Sequence, residues 1–200
     1  MKGKIILLII FIEFALCAYA INTTDAADQK EPAVKIETQT ATEQPETEPD
    51  VYIAECMLSR EMQQQVYHIC EQQGVPYTLV MAVIKQESNF DDQAVGDGGN
   101  SVGLMQIQER WYSGLMEELG VNSLYLPLDN VKVGTAILKG YFEESNNTYY
   151  VLMKYNGGAA YANRMIEAGQ ISDYALEIVE QAAEYERLLY KLGINKGQLL

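Results

Sequence analysis

A run of apolar residues at positions 79–84 places the strongest constraint on the fold of this chain. Pro76 suits the first turn of a helix, and the apolar residues that follow occupy every side of that helix. A helix that is apolar all round must be buried, so we predict a central helix that the other elements surround. Its polar residues, 85–88, come last, and they bring the carboxyl group of Glu87 to the helix C-terminus.

The flanking segments also predict helices. Ser59 is a favourable N-cap, and apolar residues then recur at spacings of three and four, which indicates an amphipathic helix that ends at about Gln73 before Gly74. A glycine-rich loop over residues 91–103 interrupts the periodicity after the central helix. No pair of alternating strands is long enough to form a sheet core, so the predicted fold class is mainly α.

The position of Glu87 predicts unusual proton chemistry. The carbonyl end of a helix carries partial negative charge, and an apolar wall removes water, so both effects disfavour the carboxylate form. We expect the pKa of Glu87 to lie above its usual value of about 4.3. A glutamic acid that stays protonated near neutral pH is suited to act as a general acid on a poor leaving group such as a sugar oxygen. The alternative is a solvated glutamate at a helix end.

Charge and composition exclude several classes of function. The chain has 200 residues and a net charge of −14, which disfavours binding to phosphate backbones, so nucleic acid is not expected as a partner. One histidine and three cysteines cannot form a multi-histidine or four-cysteine zinc site. We therefore expect no metal and no cofactor, and catalysis by carboxylates or hydroxyls.

The N-terminal residues 1–20 have the pattern of a secretory signal peptide. Lys2 and Lys4 precede an apolar run over residues 5–16, and small residues at 18 and 20 suit a cleavage site. An uncleaved membrane anchor is the alternative, but the apolar run is shorter than the ~20 residues of a membrane span, and Glu13 interrupts it. The sequence therefore predicts export, with the signal peptide either removed or retained as an anchor.

Residues 21–50 differ in composition from the rest of the chain. They contain eight acidic residues against two lysines, many threonines and three prolines, with few apolar side chains. Such a segment cannot bury enough apolar surface to offset its ordering entropy, so we predict a disordered acidic linker. Residues 51–200 form the predicted folded domain, which is also acidic.

Several short motifs follow one another in the predicted domain. Glu87 and Ser88 form the first, the segment SVGLMQI at 101–107 the second and YNGG at 155–158 the third, and DNVKVG at 129–134 and ISDY at 171–174 lie around the third. In order and approximate spacing, these motifs resemble the lytic transglycosylase domain of the soluble type, a lysozyme-like family. The resemblance covers roughly residues 58–185 and implies an α+β lysozyme-like fold.

The resemblance also implies the roles of individual residues. Glu87 is expected to be the catalytic acid and later the base. The expected substrate-binding residues are Ser88, Gly103, Leu104, Met105, Gln106, Tyr155, Asn156 and Tyr174. Core packing is the alternative for Leu104 and Met105, and ordinary packing is the alternative for the tyrosines. The chain departs from the family at Lys154, where an alanine often precedes the Tyr-Asn pair.

The reaction that the resemblance implies is cleavage of the β-1,4 bond between N-acetylmuramic acid and N-acetylglucosamine in peptidoglycan, with formation of 1,6-anhydromuramic ends. The expected protein is a monomer that is exported to the bacterial cell envelope or beyond and acts on glycan strands. Hydrolysis as in goose-type lysozymes is one alternative, with Asp91, Asp92 or Asp97 as the base. A non-catalytic glycan-binding module is the other.

Two cysteines and one histidine of the predicted domain lie outside these motifs. Export permits a disulfide between Cys56 and Cys70, but helix length brings the geometry near the limit for bridging, so the sequence leaves this pairing open. His68 lies on the first predicted helix, far in sequence from the motifs, and is not expected to belong to the site.

Overall fold

A computed structural model describes residues 50–194, so the predicted signal peptide and nearly all of the predicted linker lie outside the described residues. Its helices are α1 (Arg60–Gln73), α2 (Tyr77–Ser88), α3 (Glu109–Leu119), α4 (Pro127–Glu144), α5 (Thr148–Glu167) and α6 (Asp173–Lys191). Between α2 and α3, the strands β1 (Val95–Gly96) and β2 (Ser101–Val102) pair in antiparallel fashion around a short 3-10 turn. The predicted mainly α fold with a small β element is confirmed.

Helix α1 has the ends that the sequence predicts. The Ser59 hydroxyl oxygen accepts the backbone N–H of Met62 at 3.2 Å, which satisfies one of the free donors at the N-terminus. Gly74 ends the helix with a φ of 69°, a left-handed conformation that glycine adopts without strain. The predicted N-cap and the predicted last residue, Gln73, are confirmed.

Helix α2 is the buried centre of the domain. All eight residues from Tyr77 to Ile84 are buried, and the helix packs chiefly against α6 and also against α1. Full burial of each large apolar side chain contributes about 1.5–3 kcal/mol. Because every residue of this segment is buried, the C-terminal turn that follows it has a fixed position. The predicted burial all round is confirmed.

The remaining helices form the frame around α2. Helix α4 packs against α1 and α5, and α5 packs against α6. Within residues 50–194, no helix is long and apolar enough to cross a membrane.

The two cysteines of the described domain are buried free thiols. Burial raises the pKa of the Cys56 thiol to about 11, while a hydrogen bond with Tyr185 acts in the opposite direction. The structure thus has no bond between Cys56 and Cys70, whose pairing the sequence left open.

Candidate active site

Glu87 is the penultimate residue of α2, and its side chain lines an open cleft of about 800 Å³. The helix ends at Asn89, which has a positive φ of 49° and donates its backbone N–H to the carbonyl of Lys85. This left-handed residue turns the chain into the loop that forms one wall of the cleft. The helix end thus delivers a carboxyl group to the cleft, as the sequence predicts.

The surroundings of Glu87 raise its pKa. Burial is the largest cause, and the nearby charge of Asp97 acts in the same direction. The Tyr174 hydroxyl donates a hydrogen bond to Oε1 of Glu87 at 2.5 Å, which favours the charged form and partly offsets the increase. The predicted direction of the shift is confirmed, with burial as its main cause.

Tyr174 reaches Glu87 from a distant part of the sequence. It lies in the first turn of α6. Ser172 caps the N-terminus of that helix, because its hydroxyl oxygen accepts the N–H of Ala175. Burial and the charge of Glu87 raise the pKa of Tyr174, so its hydroxyl remains protonated and acts as a donor. The packing of α6 against α2 therefore brings these two groups together.

The loop wall of the cleft is held by an amide side chain. Gln106, which lines the cleft, donates from Nε2 to the carbonyl of Ala94 at 3.1 Å and to that of Gly103 at 3.0 Å. Gln106 itself has a φ of 49°. A non-glycine residue in this region is strained, and such strain persists only where surrounding contacts fix the backbone.

Asn130 of α4 connects this loop to the core. Its Oδ1 accepts the N–H of Met105 at 2.8 Å, and its Nδ2 donates to the carbonyls of Val102 at 2.7 Å and Leu124 at 3.0 Å. Gly103 leaves room for this amide, because a Cβ atom there would lie 2.4 Å from Nδ2 of Asn130. The asparagine of the 129–134 motif thus fixes the position of the loop.

Leu104 and Met105 are fully buried in the core, as in the alternative interpretation of these residues. The Met105 side chain packs onto α4 at Gly134, where a Cβ atom would lie 2.4 Å from its sulfur. The carbonyl of Met105 accepts the Tyr155 hydroxyl at 2.8 Å. The buried side chains of Leu104 and Met105 therefore support the cleft wall from behind.

Tyr155 and Asn156 both line the cleft. The apolar run of residues 149–153 predicts a helix that ends before Gly157, and that boundary is wrong. Helix α5 continues to Glu167, with a break at Gly158, where φ is 77° and ψ is 169°. The positive φ changes the direction of the chain at that point, and helical hydrogen bonding resumes beyond it.

Ser88 follows Glu87 directly but points back along its own helix. Its hydroxyl donates to the carbonyl of Ile84 at 3.1 Å, a common bond for serine within a helix. Of the three aspartates considered as alternative bases, Asp97 lines the cleft, while Asp91 and Asp92 bond to Gln93. Asp97 accepts the Ser101 hydroxyl at 2.6 Å through Oδ2.

The cleft is also lined by residues that were not among the predicted site residues. They are Gln108, Trp111, Tyr112, Tyr141 and Lys154. The hydroxyl oxygens of Tyr112 and Tyr141 lie 3.0 Å apart, and the Lys154 ammonium lies 4.1 Å from the centre of the Tyr141 ring. Lys154 also pairs with Glu144 at 2.5 Å. Gln108 directly follows the 101–107 motif, which is a usable signal, whereas the tyrosines come from separate helices.

The described residues 50–194 contain no group of three histidine, cysteine or acidic side chains arranged to hold a metal ion. His68 lies on α1, where its Nδ1 is 3.6 Å from a carboxyl oxygen of Glu71, and it does not line the cleft.

A helical fold around a buried central helix, with a glutamate at the cleft end of that helix, is the arrangement that the resemblance to a lysozyme-like family implied. Residues 67–177 match the family described as the Transglycosylase SLT domain. Because the match covers more than half of the chain, the chain belongs to that family.

The relatives that match this chain are described as lytic murein transglycosylases. Membrane-bound lytic murein transglycosylase C of Yersinia enterocolitica is 27% identical over 128 residues, which cover 56% of this chain and 35% of that protein. The protein of the same name from Salmonella arizonae is 28% identical over 156 residues, which cover 62% and 42% of the two chains. The matched segment is thus less than half the length of these relatives.

Solved structures show the same fold. An inactive mutant of the lytic transglycosylase Slt from Pseudomonas aeruginosa has a TM-score of 0.57 at 19% identity and covers 64% of this chain and 24% of its own. The complex of a 70-kDa soluble lytic transglycosylase with bulgecin A has a TM-score of 0.55 at 21% identity, with 68% and 25% covered.

Proposed function

We propose that this protein is a peptidoglycan lytic transglycosylase and that Glu87 is its catalytic residue. The observation that carries the proposal is the position of Glu87, a half-buried carboxyl group with a raised pKa in an open cleft. A general acid works best when its pKa lies near the ambient pH, and burial moves this carboxyl group in that direction. The family membership and the murein transglycosylases among the relatives agree with this role.

The proposed reaction uses one carboxyl group twice. Protonated Glu87 donates its proton to the β-1,4 glycosidic oxygen between N-acetylmuramic acid and N-acetylglucosamine, and the bond from that oxygen to C1 of the muramic acid breaks. The acetamido oxygen of the same sugar stabilises the positive charge at C1. The Glu87 carboxylate then takes the proton of the 6-hydroxyl, whose oxygen bonds to C1 and closes the 1,6-anhydro ring. No water is consumed and no cofactor takes part.

The other predicted site residues support this reaction in different ways. We assign sugar contacts to Gln106, Tyr155 and Asn156, which line the cleft, and we assign the positioning of Glu87 to Tyr174. We assign the support of the cleft wall to Ser88, Gly103, Leu104 and Met105.

The proposed cellular setting rests on the N-terminal sequence and on the relatives, whose names describe membrane-bound proteins. In this proposal, residues 1–20 direct export and either leave the chain or anchor it in the membrane. The acidic linker then connects the domain of residues 51–200 to that point. The protein acts as a monomer on glycan strands of the bacterial envelope.

Mass spectrometry of the soluble products from purified peptidoglycan tests the proposal. We expect anhydromuropeptides from the native chain, and we expect Glu87→Gln to lower their rate of formation by about 10²–10⁴, the usual contribution of a general acid. Glu118→Gln, on the exposed surface of α3, is the matched control and should retain full activity.

Products that are one water heavier, with reducing ends, would contradict the transglycosylase and favour hydrolysis. Asp97 would then be the base to test, since it lines the cleft beside Glu87. Binding of peptidoglycan without any product would favour a non-catalytic module.

A further inference from the structure

Trp111, the single tryptophan of the chain, occupies an unusual position for a large apolar side chain. It lies in the first turn of α3, its side chain is 70% exposed, and it lines the same cleft as Glu87. Isolated exposed apolar residues are common on protein surfaces and need no partner. Exposure by itself therefore does not connect this indole to a ligand.

A hydrogen bond and a cation–π contact fix the indole in place. Gln108 occupies the N-cap position of α3, yet its side chain makes no capping bond. Its Oε1 instead accepts the indole Nε1–H of Trp111 at 3.1 Å, and it also accepts two N–H groups of Arg110, at 2.7 and 3.1 Å. The guanidinium carbon of Arg110 lies 5.1 Å from the centre of the indole ring.

Gln108 also connects the indole to the wall beside Glu87. Its Nε2 donates to Oδ2 of Asp97 at 2.8 Å and to the hydroxyl of Ser101 at 3.0 Å. One amide therefore holds both the loop that faces Glu87 and the ring at the edge of the cleft. A surface tryptophan that is fixed at its N–H and contacted by a cation has little side-chain freedom left to lose when a ligand binds.

We propose that Trp111 is a sugar-stacking subsite that binds one saccharide ring of a β-1,4-linked glycan strand next to the site of bond cleavage. This inference rests on the proposed function and extends it to the length of strand that the cleft holds. A hexopyranose ring has an apolar face of C–H groups, and a fixed aromatic plane complements that face while the polar cleft groups bond to hydroxyl and amide groups.

Two features of the site favour a glycan over a protein partner. The exposed indole and the proposed general acid line the same cleft, so one extended strand in that cleft is able to contact both. Amide and carboxyl oxygens from Gln106 and Asp97 line the same cleft, and they suit the hydroxyl and N-acetyl N–H groups of amino sugars.

Because Trp111 is the single tryptophan, its fluorescence reports directly on this subsite. The full chain with Glu87→Gln is titrated with the β-1,4-linked tetramer of N-acetylglucosamine and, separately, with peptide-free glycan strands from peptidoglycan. We expect a saturable change in emission and protection from acrylamide quenching. Binding of either glycan by calorimetry with unchanged emission would overturn the proposal, and so would the absence of binding to both.

Kinetics on glycan strands provide the second test. We expect Trp111→Ala to raise KM about tenfold with kcat retained, the size of effect typical of a central aromatic contact, and Trp111→Phe to restore most of the loss. Tyr190→Ala is the matched control, since Tyr190 is also 70% exposed but does not line the cleft. A loss in kcat alone, or an equal effect of the control, would overturn the subsite.

The two proposals fail in distinguishable ways. Cleavage by the native chain with a KM that Trp111→Ala leaves unchanged would refute the subsite and leave the transglycosylase intact. A saturable emission change without any cleavage would support the subsite and refute the catalytic proposal.

Discussion

Two neighbouring segments meet at Glu87 and reach a fixed structure by opposite means. The first, residues 77–84 of α2, is regular and buried on all sides, so apolar packing is the main interaction that holds it in place. The second, the loop of residues 89–106, contains all four non-glycine residues with positive φ in the described part of the chain, at positions 89, 90, 97 and 106. Polar side chains hold this loop, above all Asn130 and Gln106.

This difference teaches how a catalytic cleft combines rigidity with polarity. Under the proposed function, the wall that faces substrate cannot be built from apolar packing alone, since its groups bond to sugars. The strained backbone of the loop is instead fixed by hydrogen bonds from the buried amide of Asn130 behind it and from the amide of Gln106 within it. We therefore expect the loop to be most sensitive to the loss of those bonds, and the following variants test that expectation.

The largest effect is expected from Asn130→Ala. Its removal takes away the partner of the Met105 N–H and of the Leu124 carbonyl, while the Val102 carbonyl keeps its bond from the N–H of Ile107. Each buried group left unpaired costs about 1–3 kcal/mol. We expect the free energy of unfolding, measured in urea, to fall by about 3–5 kcal/mol. Asn163→Ala, on the exposed face of α5, is the control and should stay within about 0.5 kcal/mol of the native chain. Equal values for the two variants would contradict the role of Asn130.

An intermediate effect is expected from Gly134→Ala in α4. The new methyl group would lie 2.4 Å from the Met105 sulfur and 3.0 Å from its Cβ, so the cleft segment must shift. We expect a loss of about 1–3 kcal/mol in thermal unfolding, as for other overpacked sites. Gly140→Ala in the same helix has open space around it and should instead gain up to about 1 kcal/mol. A gain in both variants would show that Met105 adjusts without cost.

The smallest effect on stability is expected from Tyr174→Phe, at about 0.5–1.5 kcal/mol for one hydrogen bond. Its effect on pH dependence is more informative. The Tyr174 hydroxyl stabilises the charged form of Glu87, so its removal favours the protonated form and raises the pKa of Glu87 further. Because the first step requires protonated Glu87, the alkaline limb of kcat/KM should move to higher pH. Tyr190→Phe should leave the profile unchanged, and a shift to lower pH in Tyr174→Phe would contradict the assignment.

Local patterns in the sequence were sufficient to predict much of the helical frame. Ser59 and Gly74 bound α1 because capping depends on the residues at the helix ends themselves. Burial of residues 77–84 followed from their composition, since an apolar helix surface has no stable alternative to burial. The position of Glu87 at the end of α2 followed from the same pattern.

Other features depended on contacts between distant segments. The helix predicted to end before Gly157 instead continues to Glu167 with a break at Gly158, because a glycine pair does not show whether the chain resumes a helix. The contact of Tyr174 with Glu87 joins residues 87 positions apart, and the family resemblance indicated Tyr174 only as a residue of the cleft.

The sequence by itself therefore determined the caps, the buried central helix and the carboxyl group at its end, because each depends on residues within one or two turns. The tertiary structure alone decided which groups surround that carboxyl group. The groups of the site come from separate elements, namely Tyr174, Asp97 and the fixed indole of Trp111. Their positions depend on helix packing and on the amides of Asn130 and Gln108. Local sequence patterns carry no information about such long-range contacts, since many different residues satisfy the same periodicity.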